Sequence, residues 1–226
     1  MTELRLVIFD VDGTLIDSQA HILAAMDAAF AAHDLPAPPR ADTLSIVGLS
    51  LPVAMARLAP DLPQHHATLV AAYKEAFARL RLSPDGAALS PLFPGARAVL
   101  DHLAAQDHTL LAIATGKSRR GLDHIIELHG FGPLFQSMQV ADDHPSKPHP
   151  SMIHACLRDT GVDPRRAVIL GDTTFDIEMG RAAGIRTIGV TWGYHPATAL
   201  TRAGADALID SFAALSETLD QLGVPA

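Results

Sequence analysis

The sequence holds one cysteine, Cys156, which excludes an intrachain disulfide and cannot build a thiolate zinc site alone. It falls in a helical pattern and reads as a small packed residue. Long hydrophobic runs are missing as well. The opening stretch carries only Leu6-Val-Ile-Phe9 before acids intrude. A secretory leader needs a basic region and a longer apolar segment, and a spanning helix needs roughly 20 apolar residues. A soluble protein of the reduced cytoplasm, with no membrane partner, is expected. Basic charge is scarce: 17 Lys and Arg face 25 Asp and Glu, leaving −8. Nucleic acid is therefore not an expected partner, since binding it would need a local basic patch against that background. What is plentiful is core material. Hydrophobic residues make up 48% and charged residues 19% of the 226 positions, far from the profile of disorder. That length suits one domain, or a core domain with a modest insert.

The segment Leu4–Phe9 is short, apolar and β-branched, and stops at Asp10, as a strand buried on both faces of a parallel sheet would. Two segments share that pattern: Thr109–Ala114, stopping at Thr115-Gly116, and Ala167–Leu170, stopping at Gly171-Asp172. Weaker strands are expected at Ser137–Ala141, Arg186–Val190 and Ala207–Ile209. Helical stretches lie between them at Ala96–Gln106, Arg119–His129, Ser151–Thr160 and Asp176–Ala183. The alternation predicts a doubly wound α/β domain with a parallel sheet. From about Ser18 to Ser90 it breaks. Gln19–His33 and Gln64–Leu82 are alanine-rich and helical in period, and prolines mark the internal turns and the exit at Pro84, Pro91 and Pro94. An α-helical insert over residues 18–90, with residues 1–17 and 91–226 forming the core, is the expected organisation. Seven acids and five bases in Asp17–Ser90 make the insert no basic platform.

Ligands of an open parallel sheet bind beyond the carboxyl ends of its strands. Here those ends are Asp10-Val-Asp12-Gly13-Thr14, Thr115-Gly116-Lys117-Ser118 and Gly171-Asp172-Thr173-Thr174. Each apolar run thus delivers a carboxylate or hydroxyl, and a glycine, to one edge. Strands also end in Asp or Gly for turn reasons alone, but three such junctions at one edge point to chemistry.

These residues resemble the motifs of the haloacid dehalogenase superfamily. FDVDGTLIDS at 9–18 looks like the first motif, TGKS at 115–118 the second, Lys147 in HPSKPHP the third and GDTTFD at 171–176 the fourth. The insert is placed like the helical cap of the phosphoglycolate-phosphatase-like branch. The resemblance implies a Mg²⁺-dependent phosphatase with a HAD-like Rossmannoid core, acting on a small phosphorylated metabolite through an aspartyl-phosphate. Phosphoglycolate-like esters, sugar phosphates, nucleotides and pyrophosphate all remain open as substrates, and the chain is expected as a monomer or homodimer. Asp10 would be the nucleophile, since a carboxylate at a strand end can attack phosphorus. Asp12, two residues on and on the same face, would protonate the leaving oxygen and then activate water, provided its surroundings keep it partly protonated. Gly13 would allow the tight turn. Mg²⁺ suits oxygen ligands, and the resemblance implies Asp10, the Asp12 carbonyl and Asp172. Thr115 and Gly116 would bind the phosphate.

Lys147 carries a signal of its own. Lysines occur only at 74, 117 and 147, against fourteen arginines, so a lysine between Ser146 and Pro148 suggests that a compact point charge is wanted. By resemblance it pairs with the nucleophile and the phosphate. Asp176 would orient a metal water or help hold Lys147, and also makes sense as a plain acidic residue in the first turn of a helix. Other signals are discounted. Gly116-Lys117-Ser118 is no nucleotide P-loop, because the earlier glycine would fall at Leu111. His144, His149 and His154 read as loop histidines rather than ligands, and His65-His66 as a solvated helix end. Trp192-Gly193-Tyr194 follows a strand and reads as a loop packed by its aromatics or one bordering the site, and Ser45–Ser50 as an inter-helix turn or a loop facing the site. Among other functions, a phosphosugar mutase is the first alternative. A dehalogenase or phosphonate hydrolase is disfavoured by Asp12, and a non-enzymatic regulator by the completeness of the motifs.

Overall fold

The computed structural model describes residues 4–83 and 86–224; Pro84, one of the exit prolines, lies outside the described residues, as do positions 1–3, 85 and 225–226 of the expected segments. Among the described residues, one parallel six-stranded sheet forms, in the order β3-β2-β1-β4-β5-β6. Its strands are β1 (Arg5–Phe9), β2 (Thr109–Thr115), β3 (Phe135–Val140), β4 (Ala167–Gly171), β5 (Arg186–Val190) and β6 (Ala207–Ile209). The doubly wound α/β class is as expected. Alternate side chains of β1 enter separate cores, because successive Cβ atoms in a strand point to opposite faces. Val7 and Phe9 join Val99, Leu100 and Leu103 of α5 (Ala96–Ala104) and Leu122 of α6 (Arg119–His129). Leu6 and Ile8 meet Met152 and Cys156 of α7 (Ser151–Thr160) and Met179 of α8 (Thr174–Ala182). Helices on both faces explain why the strands read as unbroken apolar runs.

β3 begins at Phe135, two residues earlier than its sequence pattern suggests. Its pairing with β2 shifts register between Leu111 and Ala112, and the Leu111 amide donates to Gln136 Oε1 at 2.8 Å. A side-chain amide inside the strand blurs the apolar pattern at the point where the ladder is irregular.

Between β1 and α5 lie α1 (Gln19–Ala31), α2 (Arg40–Ser45), α3 (Leu51–Leu58) and α4 (His66–Arg81). The long helices α1 and α4 were legible; α2 and α3 were not. Chain entry and exit run side by side. The Asp17 amide donates to the Pro91 carbonyl at 2.8 Å, and Phe93 to Leu15 at 3.0 Å. This helical segment has its own core, with Met26, Phe30, Ile46, Leu49 and Met55, and Phe175 of α8 is built into it.

Cys156 is fully buried, and burial pushes its thiol up to about 12. A thiol needs its thiolate to react. Folded protein is therefore expected to leave iodoacetamide unreacted at pH 8, with one equivalent consumed after denaturation. Rapid labelling of the native chain, followed by mass spectrometry, would contradict this packing.

Candidate active site

The expected strand-end junctions meet at the carboxyl edge. Asp10 follows β1, its amide donating to the Leu170 carbonyl of β4 at 2.9 Å. Neighbouring β1 and β4 lie at the topological switch point, where the crossovers diverge and leave a crevice. Lys147 arrives from the loop before α7, and its Nζ donates to Asp10 Oδ1 and to Asp176 Oδ1, both at 2.6 Å. Burial opposes the ammonium charge, but Asp10 and Asp176 outweigh it and hold Lys147 above the ordinary lysine range. Asp176 spends its other oxygen on the Thr173 amide and hydroxyl, in a capping box that starts α8. Asp176 thus both holds Lys147 and serves as an acidic residue of the first turn of α8.

Asp172 is completely buried between two glycines. Its Oδ1 accepts from the Thr14 hydroxyl at 3.2 Å and its Oδ2 from the Tyr194 amide at 2.8 Å. A Cβ on Gly13, whose φ is +85°, would lie 2.2 Å from Asp172 Oδ2, and one on Gly193 would lie 2.1 Å from Asp172 Cβ. Only glycine lets both backbones come this close. Burial, then the charges of Asp10 and Asp176, raise the Asp172 carboxyl well above its usual range.

Carboxylate oxygens of Asp10, Asp172 and Asp176 gather within 4.8 Å of one another. Asp10 Oδ2 is buried without a hydrogen-bond partner. Three carboxylates against one ammonium, with an unpartnered oxygen among them, form a hard-oxygen site that a divalent cation fits. The Asp12 side chain lies outside this cluster, so only its carbonyl is left as the expected ligand atom.

Asp12 instead meets Lys117. Nζ of Lys117 donates to its two carboxylate oxygens at 2.6 and 2.8 Å, and the Ser18 hydroxyl donates to Oδ1. Both oxygens of Asp12 are thus engaged by one ammonium. Thr115 is fully buried, its hydroxyl accepting from the Lys117 amide at 3.2 Å. Gly116 faces the helical segment; a Cβ there would come within 2.5 Å of the Gly48 carbonyl oxygen.

Ser45–Ser50 fulfils both of its readings. It joins α2 to α3 and also lies on the site: the Ser50 amide donates to Ser146 Oγ at 2.8 Å. The Ser45 carbonyl lies 3.1 Å from Nε2 of His195, whose Nδ1 accepts from the Thr174 amide. That places the Nε2 proton toward Ser45, and burial lowers the His195 pKa in keeping with a neutral ring. A cavity of about 750 Å³ lies between this segment and the sheet edge, with Asp10, Asp12, Gly116 and Lys117 among its walls. Thr115 is not part of the wall.

Sequence reasoning missed the roles of Lys117 and Ser18, and gave the Trp192–Tyr194 loop a place beside the site only as its second reading. Lys117 shares the scarcity that singled out Lys147. Trp192 does pack against Phe212, as expected of the loop, but its Nε1 also donates to the Thr14 carbonyl at 3.1 Å. Tyr194 Oη accepts from the Ser18 amide at 3.1 Å. This loop follows β5 at the same carboxyl edge, which was the available signal. The discounted histidines stay apart from the carboxylate cluster, and His144 is held between Ser151 Oγ and Gln139 Oε1.

The sequence profile of the haloacid dehalogenase-like hydrolases matches residues 7–190. A probable phosphatase, IndB, of Dickeya dadantii is 34% identical over 92% of this chain and 90% of its own length. The phosphoglycolate phosphatase of Pasteurella multocida is 29% identical over 97% of this chain and all of its own. A haloacid dehalogenase-like hydrolase from Streptococcus pneumoniae superposes with a TM-score of 0.81 at 25% identity, covering 98% of this chain and 99% of its own. The buried aspartates at the switch point thus sit in a known setting: this chain belongs to the haloacid dehalogenase-like hydrolase family.

Proposed function

We propose that this chain is a metal-dependent phosphatase that hydrolyses a small phosphomonoester through an aspartyl-phosphate on Asp10. One observation carries the reading: Asp10 Oδ2 is unpartnered, while Lys147 fixes the other oxygen of the same carboxylate. That carboxylate lines the cavity it shares with Asp12. The free oxygen would form the bond to phosphorus as the ester oxygen departs, and Lys147 would steady the transferred charge. Asp12 would supply a proton to the departing oxygen and later take one from the water that attacks the phosphoenzyme. Both transfers require Lys117 to loosen its hold on the Asp12 oxygens. A divalent cation held by Asp10, the Asp12 carbonyl and Asp172 would neutralise the charge of the phosphate. We assign Thr115 and Gly116 to hydrogen bonding the phosphate, residues 18–90 to a cap over the site, and residues 1–17 and 91–226 to the catalytic core. Homologues named for phosphatase activity across nearly the whole chain support the reaction class.

Phosphate release is expected to stop in excess chelator and return with Mg²⁺. Because a cation relieves the crowding of three buried carboxylates, Mg²⁺ should also raise the melting temperature of the metal-free protein, and Asp172→Asn should blunt that rise. Full turnover by protein shown to be metal-free would sink the mechanism.

A further inference from the structure

The cavity is large for the ester named in several relatives. About 750 Å³ is the scale of sites that enclose drug-sized ligands, far more than a phosphorylated two-carbon acid fills. Its walls are of two kinds. Ile22 and Met26 of α1, with Tyr73 and Phe77 of α4, give an apolar side. Lys74 and Arg81 of α4 and Arg120 of α6 line it as well.

These cations are placed by helix geometry. Positions 74, 77, 78 and 81 follow the spacing that puts side chains on one helix face, and all four line the cavity. Lys74 and Arg81 stand two turns apart, roughly 10 Å along the axis. Arg120, near the start of α6, lines the same cavity as Arg81. Among the described residues, none of the three cations has a carboxylate partner. Besides Asp10 and Asp12, the described residues give the wall one acid, Asp142, which already accepts from the Arg119 amide at 2.7 Å. Lys117 is taken by Asp12. In a chain of net charge −8, three cations without a carboxylate partner among the described residues give this wall a positive patch beside its apolar side.

We infer that the substrate's leaving group is an apolar body larger than glycolate that carries a second anionic group, carboxylate or phosphate, gripped by Lys74, Arg81 and Arg120. The inference rests on the phosphatase reading and narrows its substrate class. The scissile phosphate faces Asp10, the apolar body lies along Phe77 and Met26, and the distal anion reaches the cations.

The test compares the phosphate ester of 3-(4-hydroxyphenyl)propionic acid with 4-propylphenyl phosphate and with phosphoglycolate, all with Mg²⁺. kcat/KM is measured for the native chain, and binding is measured by calorimetry on Asp10→Asn, which holds esters without turning them over. The carboxylated aryl ester should exceed the uncharged one by about tenfold or more in both measurements, and should exceed phosphoglycolate. In the triple variant K74Q/R81Q/R120Q the ratio of the two aryl esters should fall toward one, through KM; Arg202→Gln, on the far surface, should leave it intact. A ratio near one in the native chain, a ratio retained by the triple variant, or a preference for phosphoglycolate overturns the inference. Preferential binding of the carboxylated ester with no turnover of any ester overturns the phosphatase reading and keeps the subsite. Turnover without preference does the reverse.

Discussion

Asp10→Asn is expected to abolish turnover and phosphoenzyme formation, whereas Asp12→Asn should leave a slow enzyme. An amide is a poor nucleophile, so no bond to phosphorus forms at position 10. At position 12 the loss is that of proton transfer, roughly 10²–10⁴-fold in kcat. The two variants should also differ in stability. Burial, the largest influence on Asp10, raises its carboxyl to about 7 despite the opposing Lys147. A carboxyl raised in the fold weakens the protein as pH climbs above its unfolded value, because the ionised form is the costly one. Asparagine removes that cost while Lys147 keeps its bond to Asp176. Metal-free Asp10→Asn should therefore melt no lower than the parent at pH 8. Asp12→Asn, by contrast, gives up an ion pair with Lys117 and should melt somewhat lower. Rapid-quench detection of phosphoenzyme and thermal melts read both effects. Near-normal turnover by Asp10→Asn on a good substrate would end the assignment.

A single methyl group at position 193 should be nearly as damaging as loss of a catalytic carboxylate. The added carbon would sit 2.1 Å from Asp172 Cβ and 2.6 Å from its Cγ, inside any van der Waals contact. Asp172 is hemmed in on its other side by Gly13, so it cannot retreat without losing the Thr14 and Tyr194 bonds. Overpacking of this kind costs about 1–3 kcal/mol of stability. Gly193→Ala should accordingly show a lower melting temperature, weakened Mg²⁺ response and at least about a hundredfold lower kcat/KM, as expected when reacting groups are displaced by an ångström. Tyr194→Phe is the contrast. It keeps the amide that holds Asp172 and loses only the hydroxyl at Ser18, a change of about 1 kcal/mol. If Gly193→Ala matches the parent in activity and melting, Asp172 does not need the seat described here.

The strand ends were readable because each is a local event: an apolar run, then a carboxylate or hydroxyl and a glycine. A sheet buried on both faces leaves that pattern in consecutive residues, and parallel strands all deliver their ends to one edge. Asp10 and Asp172 were found this way and Lys147 by the scarcity of lysine, and the structure brings them together as an ion pair and a carboxylate cluster. The helices α1 and α4 were legible for a similar reason, since 13 and 16 residues repeat their period long enough to be recognised. With 6 and 8 residues, α2 and α3 do not, and helices that short depend on packing rather than on their own propensity.

The sequence by itself determined the sheet and the carboxylates presented at its edge. Only the tertiary structure decided who meets whom there. Lys117 reaches Asp12 across 105 positions and Tyr194 reaches Asp172 across 22. Asp176 spends both oxygens on Lys147 and Thr173. The helical segment between β1 and α5, acidic on balance as a composition, presents Lys74 and Arg81 to the cavity on one helix face. Composition adds charges without regard to direction, whereas burial in low dielectric makes each pairing depend on distances of a few ångströms, and only the folded chain sets those distances.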